Sequence, residues 1–132
     1  MRFVVDSGVV IRVVREQIKV RAEHELLAPT LLRSQALSAM HQAVHAGEIP
    51  RDIALEQLAR IWAIPIRLLG DAVLRRRAFD IAERLGWSET YDAEYLALTQ
   101  LRADAFVTLN TDLARRAKSV VPLAKIEALS TR

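Results

Sequence analysis

The chain contains no cysteine, which excludes disulfide staples and thiolate-held metal sites and makes a cytoplasmic address the default expectation. Nowhere does it hold about eighteen consecutive uncharged apolar residues, so no membrane span is expected. The opening Met1-Arg2-Phe3-Val4-Val5-Asp6 brings in an acid too early for a secretory signal, whose apolar region is longer. Aromatic residues make up only 5% of the chain, too few for a platform on which successive nucleic-acid bases stack. Internal repeats, low-complexity tracts and interdomain linkers are also missing. What is present fits one domain spanning residues 1–132 with a sizeable core, since 52% of the residues are hydrophobic. The net charge is +3, and the basic residues are overwhelmingly arginine. Arginine suits bidentate phosphate recognition, although a codon bias explains the same excess. Arg75-Arg76-Arg77 lies in a helical pattern and reads as a solvated face.

Strands alternate with helices along the chain. Phe3 to Val5 reads as a short buried strand, and Val9 to Glu16 as a helix. A strand over Glu25 to Ala28 ends at Pro29, and Thr30 is the expected N-cap of a long helix to about Ala46. Pro50 opens another helix. Ile64 to Leu69 reads as extended, because a proline biases its predecessor away from helix. Helices are expected over Asp71 to Leu85, stopped by Gly86, and over Tyr91 to Arg102. Ala105 to Leu109 is the clearest strand, followed by a short helix from Asp112 to Lys118. Val120 to Leu123 reads as a last strand, placed at a sheet edge by Pro122. Such alternation argues for an α/β sandwich with a mostly parallel sheet.

Three carboxylates lie beside the apolar runs. Asp6 closes Phe3-Val4-Val5 and precedes Ser7 and Gly8; Asp92 opens Tyr91 to Leu98; Asp112 follows Phe106 to Thr111. An acid that ends a strand sits at the carboxyl edge of the sheet, where open α/β folds keep their sites. Acids gathered there repel one another unless a cation joins them, and an oxygen-rich cluster suits Mg²⁺ or Mn²⁺. Plainer roles exist for each: a helix cap for Asp6 and Asp112, a first-turn acid for Asp92. The hydroxyl of Thr108, and likewise of Ser7, is placed to hold a ligating carboxylate from behind. Arg115 and Arg116 are the candidates for phosphate contacts. Tyr91, Tyr95, Trp62 and Trp87 could stack on bases, but core packing is the expectation for Tyr95 and Trp62. His41 and His45 have metal-binding spacing yet read as half-exposed helical residues away from the acids.

Position by position, this arrangement resembles the PIN-domain ribonucleases, in particular VapC-type toxins of type II toxin–antitoxin pairs. Val4-Val5-Asp6-Ser7-Gly8 looks like that family's first strand and acid. Leu27-Ala28-Pro29-Thr30-Leu31-Leu32-Arg33-Ser34 is similar to its second strand, proline and helix. Tyr91 to Leu98 looks like its Asp-Ala-x-Tyr stretch, and Phe106 to Asn110 like its terminal strand with Thr-x-Asp. The order and spacing of these short motifs cover nearly the whole chain. The resemblance implies a PIN-like three-layer sandwich and Mg²⁺- (or Mn²⁺-) dependent hydrolysis of RNA that leaves a 5′-phosphate. It assigns Asp6 and Asp92 as main ligands, assisted by Asp112, Asn110 and Gln35. It also implies a homodimer and a VapB-type antitoxin, with the helix pair between Thr30 and Ile64 as the contact surface.

Two departures stand out. Gln35 occupies the place of the family's early helical Glu, and Thr-x-Asp here reads Thr108-Leu109-Asn110. A Gln carbonyl can ligate but adds no charge and cannot act as a base, so weaker metal binding and lower activity are expected. The alternative is a degenerate PIN domain without catalysis that binds RNA or protein. A phospho-acceptor receiver domain, which also gathers acids at the sheet edge, would need an acid pair after the first strand and an Asp closing the third; neither is present.

Overall fold

Phe3, Val4 and Val5 are apolar on consecutive positions, as a strand covered on both faces requires. In the computed structural model, which describes residues 1–131, they form most of the central strand β1 (Arg2–Val5). On one side β1 pairs with β2 (Glu25–Pro29), and beyond it lies β3 (Ile66–Leu69). On the other side it pairs with β4 (Ala105–Val107), followed by β5 (Leu123–Ala124). The sheet order is β3-β2-β1-β4-β5, and every pairing is parallel. The chain therefore builds outward from β1 to β3 and returns to the far side of β1 with β4. That reversal creates a topological switch point between β1 and β4.

Alternate residues of each strand feed two cores. Phe3, Val5, Leu26, Ala28, Ala105 and Val107 face α1 (Ser7–Arg15), α2 (Leu32–His45) and α3 (Arg51–Ala63). Val4, Leu27 and Phe106 face α4 (Ala72–Leu85), α5 (Tyr91–Arg102) and α6 (Thr111–Ala117). Helices thus cover both faces of the sheet. Val4 and Phe106 are fully buried, and truncating an aromatic at such a place costs about 3–5 kcal/mol. Polar side chains start three helices: Asp6 accepts from Val9 N at 3.1 Å, Asp71 from Leu74 N at 2.9 Å and Asn110 from Leu113 N at 3.0 Å. Gly86, with φ of 72°, takes the left-handed conformation that ends α4, where a side chain would be strained.

Several expectations are corrected. The sheet is wholly parallel rather than mostly so. Thr30 does not cap α2, whose preceding residue Leu31 makes no side-chain cap. Instead the Thr30 amide donates to Leu69 O at 3.2 Å, extending the β2–β3 ladder, and its side chain packs against Gly70. Strand β4 stops at Val107 because Thr108 to Asn110 turn into the cap of α6. The final strand is Leu123–Ala124; Pro122 just precedes it, at the sheet edge, and its carbonyl accepts from Phe106 N at 2.9 Å. Trp62 lies on the surface, 48% exposed, rather than in the core. A closing 3₁₀ helix, Ile126–Ser130, carries Ile126 and Leu129 into the first core and was not expected. Among the described residues, no helix is long and apolar enough to cross a membrane.

Candidate active site

Val5 and Val107 are register partners across the switch point, so the next residue on each strand, Asp6 and Thr108, leaves the sheet beside the other. The Thr108 hydroxyl donates to Asp6 Oδ2 at 2.5 Å, while its oxygen accepts from Asn110 N at 3.2 Å. That incoming N–H commits the hydroxyl proton to the carboxylate. The other oxygen of Asp6 accepts from Val9 N, so one side chain both caps α1 and faces the sheet edge. Asp92 arrives from the first turn of α5. The two acids line one cavity of about 260 Å³ together with Ser7, Gly8, Gln35, Tyr95, Leu109, Asn110 and Leu113.

Burial raises the Asp6 carboxyl above its ordinary value; the hydrogen bonds from Thr108 and Val9 pull it back, and the charge of Asp92 pushes it up again. Asp92 is raised as well, first by partial burial, with Arg116 opposing and Glu89 adding to the shift. Tyr95 is driven far up by burial and by the neighbouring acids, so its phenol stays a neutral donor. It donates to Gln35 Oε1 at 2.5 Å, and the Gln35 amide nitrogen has no hydrogen-bond partner among the described residues.

The cavity thus brings together Asp6, Ser7, Gln35, Asp92 and Asn110, with Thr108 supporting Asp6 from behind. Asn110 is engaged as the cap of α6, so its Oδ1 is already committed to Leu113 N. Asp112 is not brought in. It sits fully exposed on α6, ion-paired to Arg115 and, at 3.5 Å, to Arg116, and these cations hold its carboxyl below the ordinary value. The two-residue offset from the capping Asn110, through Thr111, turns Asp112 to the solvent side of the helix. Arg115 is occupied by Asp112 and lines neither cavity at this edge. Arg116 does reach the site. With Gln35, Gly86, Trp87, Ser88, Glu89, Tyr91 and Asp92 it lines a second, more open cavity of about 530 Å³. His41 and His45 stack with ring centroids 6.5 Å apart on the exposed side of α2. Among the described residues, no group of three or more His, Cys, Asp or Glu is arranged to hold a metal ion.

Two participants were missed in the sequence. Glu89 lies in the loop before α5, and its only sequence signal is an acid three positions ahead of Asp92. Tyr95 was assigned to the core, and its ring is buried there against Phe106; the spacing Asp92-x-x-Tyr95, one helical turn, was the clue that its hydroxyl shares the face of the acid. The available ligating donors are oxygens, two carboxylates and the Ser7 hydroxyl, the amide oxygens of Gln35 and Asn110 being already engaged. Such a set suits a hard divalent cation, and Mg²⁺, which keeps several of its waters, asks for only one or two carboxylates.

No protein-family model matches the sequence, and no curated protein matches it. Solved structures do resemble the fold. PAE2754 from Pyrobaculum aerophilum superposes with a TM-score of 0.77 at 21% identity, covering 100% of this chain and 94% of that one. VapBC2 from Rickettsia felis, bound to a DNA fragment from their promoter, gives a TM-score of 0.60 at 8% identity over 95% of this chain and 98% of that one. At these identities the likeness is one of fold, and it supports a PIN-like α/β architecture.

Proposed function

We propose that the chain is a divalent-metal-dependent endoribonuclease of the VapC toxin type, acting in the cytoplasm. The observation that carries this reading is the pairing of Asp6 and Asp92 in one cavity at the switch point, both with carboxyls raised by burial and Asp6 held by Thr108. A bound Mg²⁺ or Mn²⁺ would polarise a phosphoryl oxygen and activate a water for in-line attack. The residues of the chain do the rest. Asp6 and Asp92 would hold the ion, and Thr108 and Val9 fix the orientation of Asp6. The amide N–H of Gln35 would donate to a phosphoryl oxygen, and Arg116 would offset the negative charge that RNA brings beside Asp92. Ser7 supplies a further hydroxyl at the cavity wall.

A VapB-type antitoxin and a second copy of the chain complete the proposal. VapBC2, a promoter-bound structure of like fold, supports the antitoxin. A largely apolar groove lined by Leu32, Ile61, Trp62, Ile64, Ile66 and Leu68, with Arg33 beside them, runs between α2, α3 and β3, with Leu37 and Leu55 exposed on the same helix pair. Exposed apolar surface of this kind marks a contact face. The test is cleavage of single-stranded RNA with Mg²⁺ or Mn²⁺ by the wild type and by Asp92→Asn. Cleavage that needs the metal and is lost in Asp92→Asn supports the proposal; cleavage indifferent to either ends it.

A further inference from the structure

The second cavity at the sheet edge has a different character from the first. It abuts the acid cavity, sharing Gln35 and Asp92 with it, and is walled by the Gly86 to Tyr91 connection and by Arg116 of α6. The guanidinium of Arg116 lies 4.7 Å from the centre of the Trp87 ring. Trp87 is itself half-buried against the second core, and Asp112 holds the same guanidinium at 3.5 Å. Arg116 is therefore a cation held over the Trp87 ring and beside Asp112, half-exposed and lining the cavity. A second aromatic, the exposed Tyr91, also lines the cavity. Glu89 lines the same cavity; its carboxylate has no ion-pair or hydrogen-bond partner among the described residues, and its charge is felt by Asp92.

We infer that this cavity is a base-binding subsite that holds an unpaired guanine of the RNA next to the scissile phosphate. The inference rests on the ribonuclease reading above and names the nucleotide it selects. Unstacked RNA bases are held on arginine planes and aromatic rings and are read along their Watson–Crick edges. Arg116 on Trp87 provides the plane. An ionised carboxylate only accepts hydrogen bonds. Guanine alone presents two adjacent donors, N1–H and the 2-amino group, to match its two oxygens. Adenine and cytosine set an acceptor beside their amino group, and uracil flanks its one N–H with two carbonyls; each of these opposes the Glu89 charge. The Ser88 hydroxyl, on the same loop, can donate to guanine O6. Because the edge that Glu89 reads is the one used in base pairing, the guanine must be unpaired.

The test uses fluorescent pentamers UUGUU, UUAUU and UUIUU, in which inosine lacks the 2-amino group, titrated in Mg²⁺ against Asp6→Asn, which keeps the RNA intact. UUGUU is expected to bind about tenfold more tightly than the other two, the scale of one bidentate base contact. Adding Glu89→Gln, a change in an exposed loop, removes that preference, and adding Trp87→Leu weakens all three RNAs together. Equal binding of the three pentamers, or a guanine preference that survives Glu89→Gln, overturns the subsite. Wild-type cleavage of the same RNAs is scored separately. Guanine-selective binding without cleavage retains the subsite and removes the nuclease reading, whereas cleavage with no guanine preference does the reverse.

Discussion

Tyr95 and Gln35, 60 residues apart in sequence, are joined by a 2.5 Å hydrogen bond in which the phenol donates to the amide oxygen. This contact gives the uncharged Gln35 a place in the site. Its oxygen is turned toward a buried donor that cannot ionise in the ordinary range, and the side chain lines the cavity that holds both acids.

Gln35→Glu keeps the acceptor for Tyr95 and adds a third negative charge beside Asp6 and Asp92. Mn²⁺ affinity, measured by calorimetry, is expected to rise roughly tenfold, since affinity follows ligand charge count. In chelator the same variant should melt a few degrees lower, because three uncompensated acids then share the edge. If Asp6→Asn weakens Mn²⁺ binding while Gln35→Glu leaves it unchanged, Gln35 has no part in holding the ion.

Thr108 acts on the ion only through Asp6. Its hydrogen bond favours the ionised carboxylate and so offsets part of the upward push of burial. Thr108→Val removes that help and raises the Asp6 carboxyl further, so the acid limb of Mn²⁺ binding, and of any RNA cleavage, should move to higher pH. Thr108→Ser restores the donor and should restore the limb. A pH profile identical in Thr108→Val and the wild type would show that the hydroxyl serves only to pack the strand end.

Much of this was legible because local rules and the sheet agreed. The strand ending at Asp6 and the helix opening at Asp92 each carry an apolar run with an acid at its end, and a parallel sheet puts such acids on one edge. The helix stop at Gly86 follows from a conformation that only glycine adopts freely. What was not legible depends on three-dimensional direction. Thr30 has the chemistry of a cap but is claimed by the β2–β3 ladder and Gly70. Asp112 and Asn110 differ by two positions, yet on a helix start that separation decides between the cavity and solvent. Trp62 follows the apolar period of α3, but the groove beside it is open, so the ring stays exposed.

Asp112→Asn separates these placements. Both ion pairs it forms are exposed, and solvent screening leaves such pairs with little effect on stability. Mn²⁺ affinity should stay within about twofold of the wild type and the melting temperature within a few degrees. Asp92→Asn under the same conditions should lose most of the affinity. A loss with Asp112→Asn comparable to that with Asp92→Asn would return Asp112 to the ligand set.

Asp6 carries a conflict between folding and the site, and its sign can be worked out. Its carboxyl is raised in the folded chain above the ordinary 3.8, so between these two values the native state binds more protons than the unfolded one. Stability then increases as pH falls through that window and decreases as pH rises, the ionised form being the one that burial opposes. Asn mimics the protonated state and can still accept from Val9 N. In chelator at neutral pH, Asp6→Asn is therefore expected to melt about 3–5 °C above the wild type, on the order of 1 kcal/mol. The advantage should shrink as pH approaches 3.8, where the wild-type carboxyl is itself protonated. Saturating Mg²⁺ should close the gap at neutral pH by raising the wild type alone, because only the carboxylate gains from the ion. An Asp6→Asn chain less stable than the wild type at neutral pH in chelator would mean that the hydrogen bonds from Thr108 and Val9 outweigh the burial of the charge.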